Sequence, residues 1–245
     1  MSANSKRFSL AGAALACVLP FAGSASAADW GGFYGGGSLG YGWGKAETSM
    51  DARGAGAGGL NYDNSPPNPH PKGALLGAQA GYNWQTGRFV VGAEGDASWT
   101  GMSDKKKESP FVFGGITIAD GAMTAKQEID WLVTLRARLG YVAENNWLVY
   151  ATGGPAWGKV SNKGSVGNGF LMFKGSDSST NFGWSAGAGA EWAMSKAYSV
   201  KFEYLHYNLG QSSDISNGSP AGAFQTKFRW EAKGNLLRAG VNFRF

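Results

Sequence analysis

Cysteine is almost missing from this chain: one residue, Cys17, in 245. It falls in an N-terminal segment that reads as removable, so the mature chain is expected to hold no thiol. That excludes disulfides and thiol catalysis, although a secreted protein would meet a compartment that permits disulfides. Histidine is scarce too, with His70 and His206 the only two. His70 stands in "NSPPNPHPKG" without a neighbouring ligand at metal-binding spacing, and no metal or other cofactor is expected. Beyond the first segment there is no run of about 18 apolar residues, which excludes a helical membrane span. A membrane barrel is untouched by that test, because its strands alternate and average to modest hydropathy. Charge is also low. The formal net charge is +5, and setting aside Lys6 and Arg7 leaves +3. No basic cluster is interleaved with stacking aromatics, so a nucleic-acid partner is not expected.

Glycine and aromatics are what the chain has in abundance: 40 Gly, 10 Trp and 13% aromatic residues overall. This is too aromatic for disorder and too glycine-rich for a helical protein. The start reads as a cleavable signal peptide spanning residues 1–27. Lys6 and Arg7 precede the apolar "FSLAGAALACVLPFAG", and Ala25-Ser26-Ala27 supplies the small residues of a cleavage site. Residues 28–245 are then expected to form a single domain.

Eight segments of that domain alternate with period two, the signature of strands with unlike faces. They run 30–43, 73–84, 88–99, 131–141, 147–157, 182–192, 198–208 and 234–245. "QTG" at 85–87, "AENN" at 143–146 and "MSK" at 194–196 have hairpin-turn length. The other four connections, near 44–72, 100–130, 158–181 and 209–233, are long and rich in Gly, Ser, Asn, Asp and Pro. An even strand count with alternating short and long connections is the pattern of an all-β, eight-stranded antiparallel up-and-down transmembrane β-barrel. Its short turns would face the periplasm and its long loops the exterior.

Aromatic spacing supports this. Phe33 and Trp43, Phe89 and Trp99, Trp131 and Tyr141, and Trp147 and Trp157 are each ten apart with matching parity; Trp184 and Trp192 are eight apart. A tilted strand needs about 9–11 residues to cross the hydrocarbon layer, and such rings favour its two interfaces. With Trp84 and Tyr198 they form a candidate aromatic girdle. The opposite parity carries Glu94, Asp96, Arg136, Arg138, Glu191, Lys201, Glu203, Arg238 and Arg244. In a closed barrel these meet in the lumen. The expectation is a paired, hydrogen-bonded plug, since an unpaired buried charge is costly. Pro155 interrupts the fifth strand and predicts a bulge or local widening. "FVFGGITIADGAMTA", with a turn-like Ala119-Asp120-Gly121, predicts a hairpin in the second long connection that extends the third and fourth strands beyond the membrane.

"WGGFYGGGSLGYGWG", "GAQAGYNWQTGRFVVGAEGD", "LRARLGYV" and "LLRAGVNFRF" resemble the small outer-membrane beta-barrel family of Gram-negative bacteria, which includes surface antigens and porin-like proteins. The resemblance covers nearly the whole chain after residue 27. It implies location in the bacterial outer membrane and no catalytic residue. It also implies that Phe245 serves as the terminal signal read by the barrel-assembly machinery.

Other motifs carry less. "EYLH" at 203–206 could suggest a hydrolase, but Glu203 and His206 have opposite parity and no serine is marked as a nucleophile. "GAGAGG" at 54–59 lacks the lysine and helix of a phosphate loop and reads as a flexible outer loop. Lys105, Lys106 and Lys107 in "DKKKES" are candidates for contact with lipid or lipopolysaccharide phosphates. The function expected is non-enzymatic: stabilising the envelope and displaying loops at the surface. A porin-like channel for small solutes and a surface receptor or adhesin are the alternatives; a soluble lipocalin-like carrier is more remote. The sequence names no extracellular ligand.

Overall fold

The computed structural model describes residues 29–53, 67–143, 146–168, 172–217 and 225–245. The expected signal peptide at 1–27 and the "GAGAGG" segment lie outside them. Among the described residues there are ten strands: β1 (Gly32–Arg53), β2 (Lys72–Thr86), β3 (Phe89–Glu108), β4 (Phe111–Phe113), β5 (Ile116–Ile118), β6 (Ala122–Val142), β7 (Trp147–Gly167), β8 (Met172–Ala193), β9 (Tyr198–Asn217) and β10 (Gln225–Arg244). Eight close into a barrel in the order β1-β10-β9-β8-β7-β6-β3-β2, while β4 and β5 pair only with each other. All neighbours are antiparallel, and β1 closes the ring between β2 and β10. Over the length of β2, closure leaves the barrel no free sheet edge, which a bilayer requires because lipid cannot satisfy backbone groups.

The expected parity governs the two faces. Phe33, Leu39, Leu76, Val91, Leu135, Leu139, Phe202, Leu237 and Val241 all point outward and are exposed. Outward aromatics sort into two belts. Phe33, Trp84, Phe89, Tyr141, Trp147, Trp192 and Tyr198 gather at the end with the short turns. There Phe89 meets Tyr141 at 5.7 Å, Trp147 stacks on Trp192 at 6.2 Å, and Tyr198 packs on Phe243 at 5.2 Å. Trp43, Trp99, Trp131, Trp157 and Trp184 form the other belt, where Trp99 stands opposite Trp131 and Trp157 lies 5.5 Å from Phe182. Ten residues separate Phe33 from Trp43. At about 3.3 Å per residue and a tilt near 40°, the belts lie roughly 25 Å apart, the height of an outer-membrane apolar band.

Three expectations need correction or narrowing. The long connections are much shorter than composition suggested. β1 continues ten residues past Trp43, and β7, β8, β9 and β10 extend similarly, as β3 and β6 were expected to do and do. The period-two alternation persists there because Met50, Met123, Phe228 and Trp230 turn inward and are buried. The barrel wall thus stands roughly another 25 Å beyond the upper belt. Second, Pro155 causes a local widening and no bulge. On the β6 side the ladder lapses between Thr134↔Ala156 and Ala137↔Gly153 and resumes in the same register, while Pro155 pairs with Trp184 on the β8 side without a shift. The register shifts instead at Trp99/Met102, Ile129/Trp131 and Glu231/Lys233, just beyond the upper belt. Third, the hairpin in the second connection is β4–β5, and it turns at Gly114-Gly115. Ala119 and Asp120 form a second turn, leading into β6.

Candidate functional site

Eight of the nine inward charges meet in one layer of the bore. Register places three oppositely charged pairs directly across from each other: Glu94↔Arg136, Glu191↔Lys201 and Glu203↔Arg238. Closure then brings these pairs together from β3, β6, β8, β9 and β10. Arg136 lies at the centre. One of its terminal nitrogens contacts Glu94 at 2.5 Å and Asp96 at 2.9 Å, and the other lies 3.2 Å from Glu203. Arg238 binds Asp96 at 2.7 Å and donates a short bond to Glu203. Lys201 reaches both oxygens of Glu94 at 2.9 Å. Arg138 donates a short bond to Glu191.

These side chains are essentially sealed from solvent; Arg136 is 1% exposed and Glu94 2%. Four cations (Arg136, Arg138, Lys201, Arg238) face four carboxylates (Glu94, Asp96, Glu191, Glu203), so the layer carries no net charge. Buried charges persist when each is paired and its remaining lone pairs are bonded. Neutral groups add further bonds to the carboxylates. Tyr34 donates to Glu94 at 2.8 Å and Tyr150 to Glu203 at 3.0 Å. Ser199 and Asn242 donate to Glu191 at 2.5 and 2.8 Å, and Thr134 donates to Asp96. The Arg138 guanidinium also lies 3.7 Å above the Tyr150 ring, a cation–π contact. Both tyrosines need glycine opposite. A Cβ on Gly81 would come within 2.5 Å of the Tyr34 ring, and one on Gly189 within 2.4 Å of the Tyr150 hydroxyl.

The structure separates Arg244 from this network. It caps the end with the short turns, donating to the backbone carbonyls of Asp29 at 3.1 Å and Ser195 at 2.5 Å and stacking 4.6 Å from the Trp30 ring. Sequence reading had counted five cations against four carboxylates. Removing Arg244 from the layer is what balances it.

Sequence reasoning also missed what lies above and below the charges. One inward step beyond Arg238 and Glu203 begins an apolar cluster that includes Leu75, Met102, Leu132, Leu205, Tyr207 and Leu236. A second apolar cluster at the far end holds Met50, Met123, Val166, Phe228 and Trp230, with Phe111 of β4 and Ile118 of β5 packed onto it. Trp30, Val90, Val142 and Leu148 close the opposite end. The signal was available, since these residues share the inward parity of the charges. It was overlooked because inward positions were assumed to be polar along the whole strand.

The histidines play no part in this layer. His206 faces outward, with Nδ1 2.9 Å from Asn235 and its ring 5.5 Å from Trp184, while Glu203 points inward. The His70 backbone N–H donates to Asp104 at 2.7 Å. Phe245 lies at the short-turn end. Its N–H donates to the Phe33 carbonyl at 3.0 Å, and its ring meets Phe243 at 4.9 Å but is otherwise 81% exposed.

A neutral, side-chain-filled lumen inside an eight-stranded belted barrel is outer-membrane architecture. The profile of the outer membrane protein beta-barrel domain matches residues 8–245. This chain belongs to that family. It is similar to the 31 kDa outer-membrane immunogenic protein of Brucella melitensis, at 35% identity over 71% of this chain and 67% of the relative. The 25 kDa outer-membrane immunogenic protein of Brucella abortus is 29% identical over 94% of this chain and 95% of its own length. Among solved structures, the outer membrane protein OprG of Pseudomonas aeruginosa shares the fold. Its TM-score is 0.50 at 13% identity, covering 88% of this chain and 96% of that one. The protein is therefore a bacterial outer-membrane β-barrel whose relatives include outer-membrane immunogenic proteins.

Proposed function

We propose that this protein is a non-enzymatic structural barrel. On this reading it stabilises the outer membrane with a sealed wall and presents its extended outer rim to the surroundings. The observation that carries it is the bore itself. A neutral layer of four cations and four carboxylates is stacked between apolar clusters, and the β4–β5 hairpin packs on the outermost one. An eight-stranded barrel is only wide enough to be filled by side chains, and ions do not cross apolar layers of this kind readily. The immunogenic naming of the Brucella relatives fits a rim displayed at the cell surface. Phe245, at the short-turn end, is assigned the role of the signal read by assembly machinery.

The test is electrical. Purified, refolded protein inserted in a planar bilayer is expected to give no stable ion current. Reproducible openings of porin size would overturn the sealed-barrel reading in favour of a solute channel.

A further inference from the structure

On the outer wall above the upper aromatic belt, three lysines stand in one cross-strand row. Lys105 of β3 is opposite Lys126 of β6, and Lys126 is opposite Lys163 of β7. Two residues farther up β7, Ser165 faces Lys174 of β8. All four share the outward parity of Trp99, Trp157 and Phe182. With Thr124 and Ser176 they line an open groove of about 410 Å³. Adjacent strands are about 4.8 Å apart, so the row packs three ammonium groups across roughly 10 Å. Like charges directly opposite each other destabilise a sheet.

The β1–β10 wall of the rim neutralises the same juxtaposition within the chain. On β1 and β10, Lys45 also faces Lys233, but Glu47 sits between them at 3.5 and 2.8 Å, and Arg229 is bound by Asp51 at 2.6 Å. In the lysine groove, only Lys126 has such a partner, Glu128 at 2.7 Å. Among the described residues, Lys105, Lys163 and Lys174 have no ion pair. The nearby Asp214 is turned to the Ser176 backbone N–H at 3.2 Å. The groove is a cationic surface that the described residues leave without a matching counter-charge.

Its position says what supplies that charge. The row lies above Trp99 and Trp131, which face each other in the upper belt, at roughly 10–15 Å given strand rise and tilt. It points sideways over the surrounding leaflet, not up the barrel axis. An amphiphile with acyl chains beside the belt and anionic sugars above it matches both surfaces. We propose that the wall formed by β3, β6, β7 and β8 clamps the phosphate- or carboxylate-bearing sugar region of an outer-leaflet glycolipid. Lys105, Lys163 and Lys174 would supply charge-assisted hydrogen bonds, with Lys126 shared between the ligand and Glu128.

The experiment uses the refolded full barrel in detergent. Binding of fluorescent lipopolysaccharide is measured for wild type, the triple variant K105Q/K163Q/K174Q, the single variant K163Q, and the control K45Q/K227Q from the β1–β10 side. Heat-modified gel migration confirms that each is folded. The expected result is at least tenfold weaker binding for the triple variant, about threefold for K163Q, and no change for the control. Wild-type binding should weaken with salt, and deacylated core oligosaccharide should bind far more weakly than the intact glycolipid. Should the triple variant not fold, K163Q decides alone. Equal binding by the lysine variants and wild type would overturn the proposal. So would oligosaccharide binding as tight as that of the intact glycolipid, which would make the groove a site for soluble polyanions.

Discussion

Arg136 is the residue on which the charge layer can be tested most sharply. Replacing it with Met leaves three cations against four carboxylates in a sealed space. Glu94 keeps Lys201 and Glu203 keeps Arg238, but Asp96 must share Arg238 with Glu203. Breaking a buried ion pair by removing one partner costs about 3–5 kcal/mol, and R136M is expected to fall in that range. D96N alone leaves Arg136 and Arg238 with one carboxylate fewer between them and is expected to cost a similar amount. The double variant R136M/D96N differs from both. Its six remaining charges resolve into three one-to-one pairs: Lys201–Glu94, Arg138–Glu191 and Arg238–Glu203. Neutrality is restored, and Thr134 can still donate to the amide oxygen at position 96. The double variant should therefore be more stable than the sum of the singles by about 1–3 kcal/mol, the coupling typical of residues in one network. Guanidinium unfolding in lipid vesicles, followed by tryptophan fluorescence, measures all four corners of the cycle. Strict additivity would refute the claim that charge balance holds this layer together.

Three further outcomes follow from the same geometry. Gly189→Val should destabilise the folded barrel by about 1–3 kcal/mol through overpacking against Tyr150, read in the same unfolding assay; a neutral result would mean the Tyr150–Glu203 bond is dispensable. Deleting Phe245 should sharply lower the outer-membrane level in cells yet leave refolding in detergent close to wild type. Its largely exposed ring can contribute only a fraction of the roughly 1.5–3 kcal/mol of a fully buried one, so equal loss in both assays would show that packing and not recognition is its role. Because the mature chain should have no native thiol, Ile116→Cys in the β4–β5 hairpin should react with an impermeant maleimide on intact cells, whereas Lys196→Cys in the β8–β9 turn should react only after permeabilisation; the reverse pattern would invert the barrel.

Much of this protein was legible in one dimension, because a strand's alternation is a local property. Parity alone separated Phe33 from Tyr34 and Leu237 from Arg238, and so assigned each side chain to lipid or lumen. Ring spacing set the height of the membrane band, since two interfacial aromatics on one strand must be a bilayer apart. Connection length ordered the strands, because short turns force antiparallel neighbours.

Composition misled where polar residues were read as loop. The stretch from Lys45 to Asp51 is charged on one face only, and its other face, Ala46, Thr48 and Met50, is buried. Pro155 was legible only in part: it opens the ladder toward β6 but makes no bulge. A proline lacks one donor, and whether the ladder must bulge depends on which neighbour that nitrogen faces, which no single strand specifies. Which charge meets which is likewise not local. Arg244 and Arg238 share a strand and a parity, yet one stacks on Trp30 at the barrel end and the other binds Asp96 from the far side of the bore. That difference comes from register and closure: six residues of strand rise place the two guanidinium groups at different depths, and only the closed ring decides what occupies each level. The balance of four against four, the apolar layers above it and the row of lysines outside are all consequences of alignment between strands distant in the chain. The sequence determined the face each residue takes, and the tertiary structure alone decided its partners.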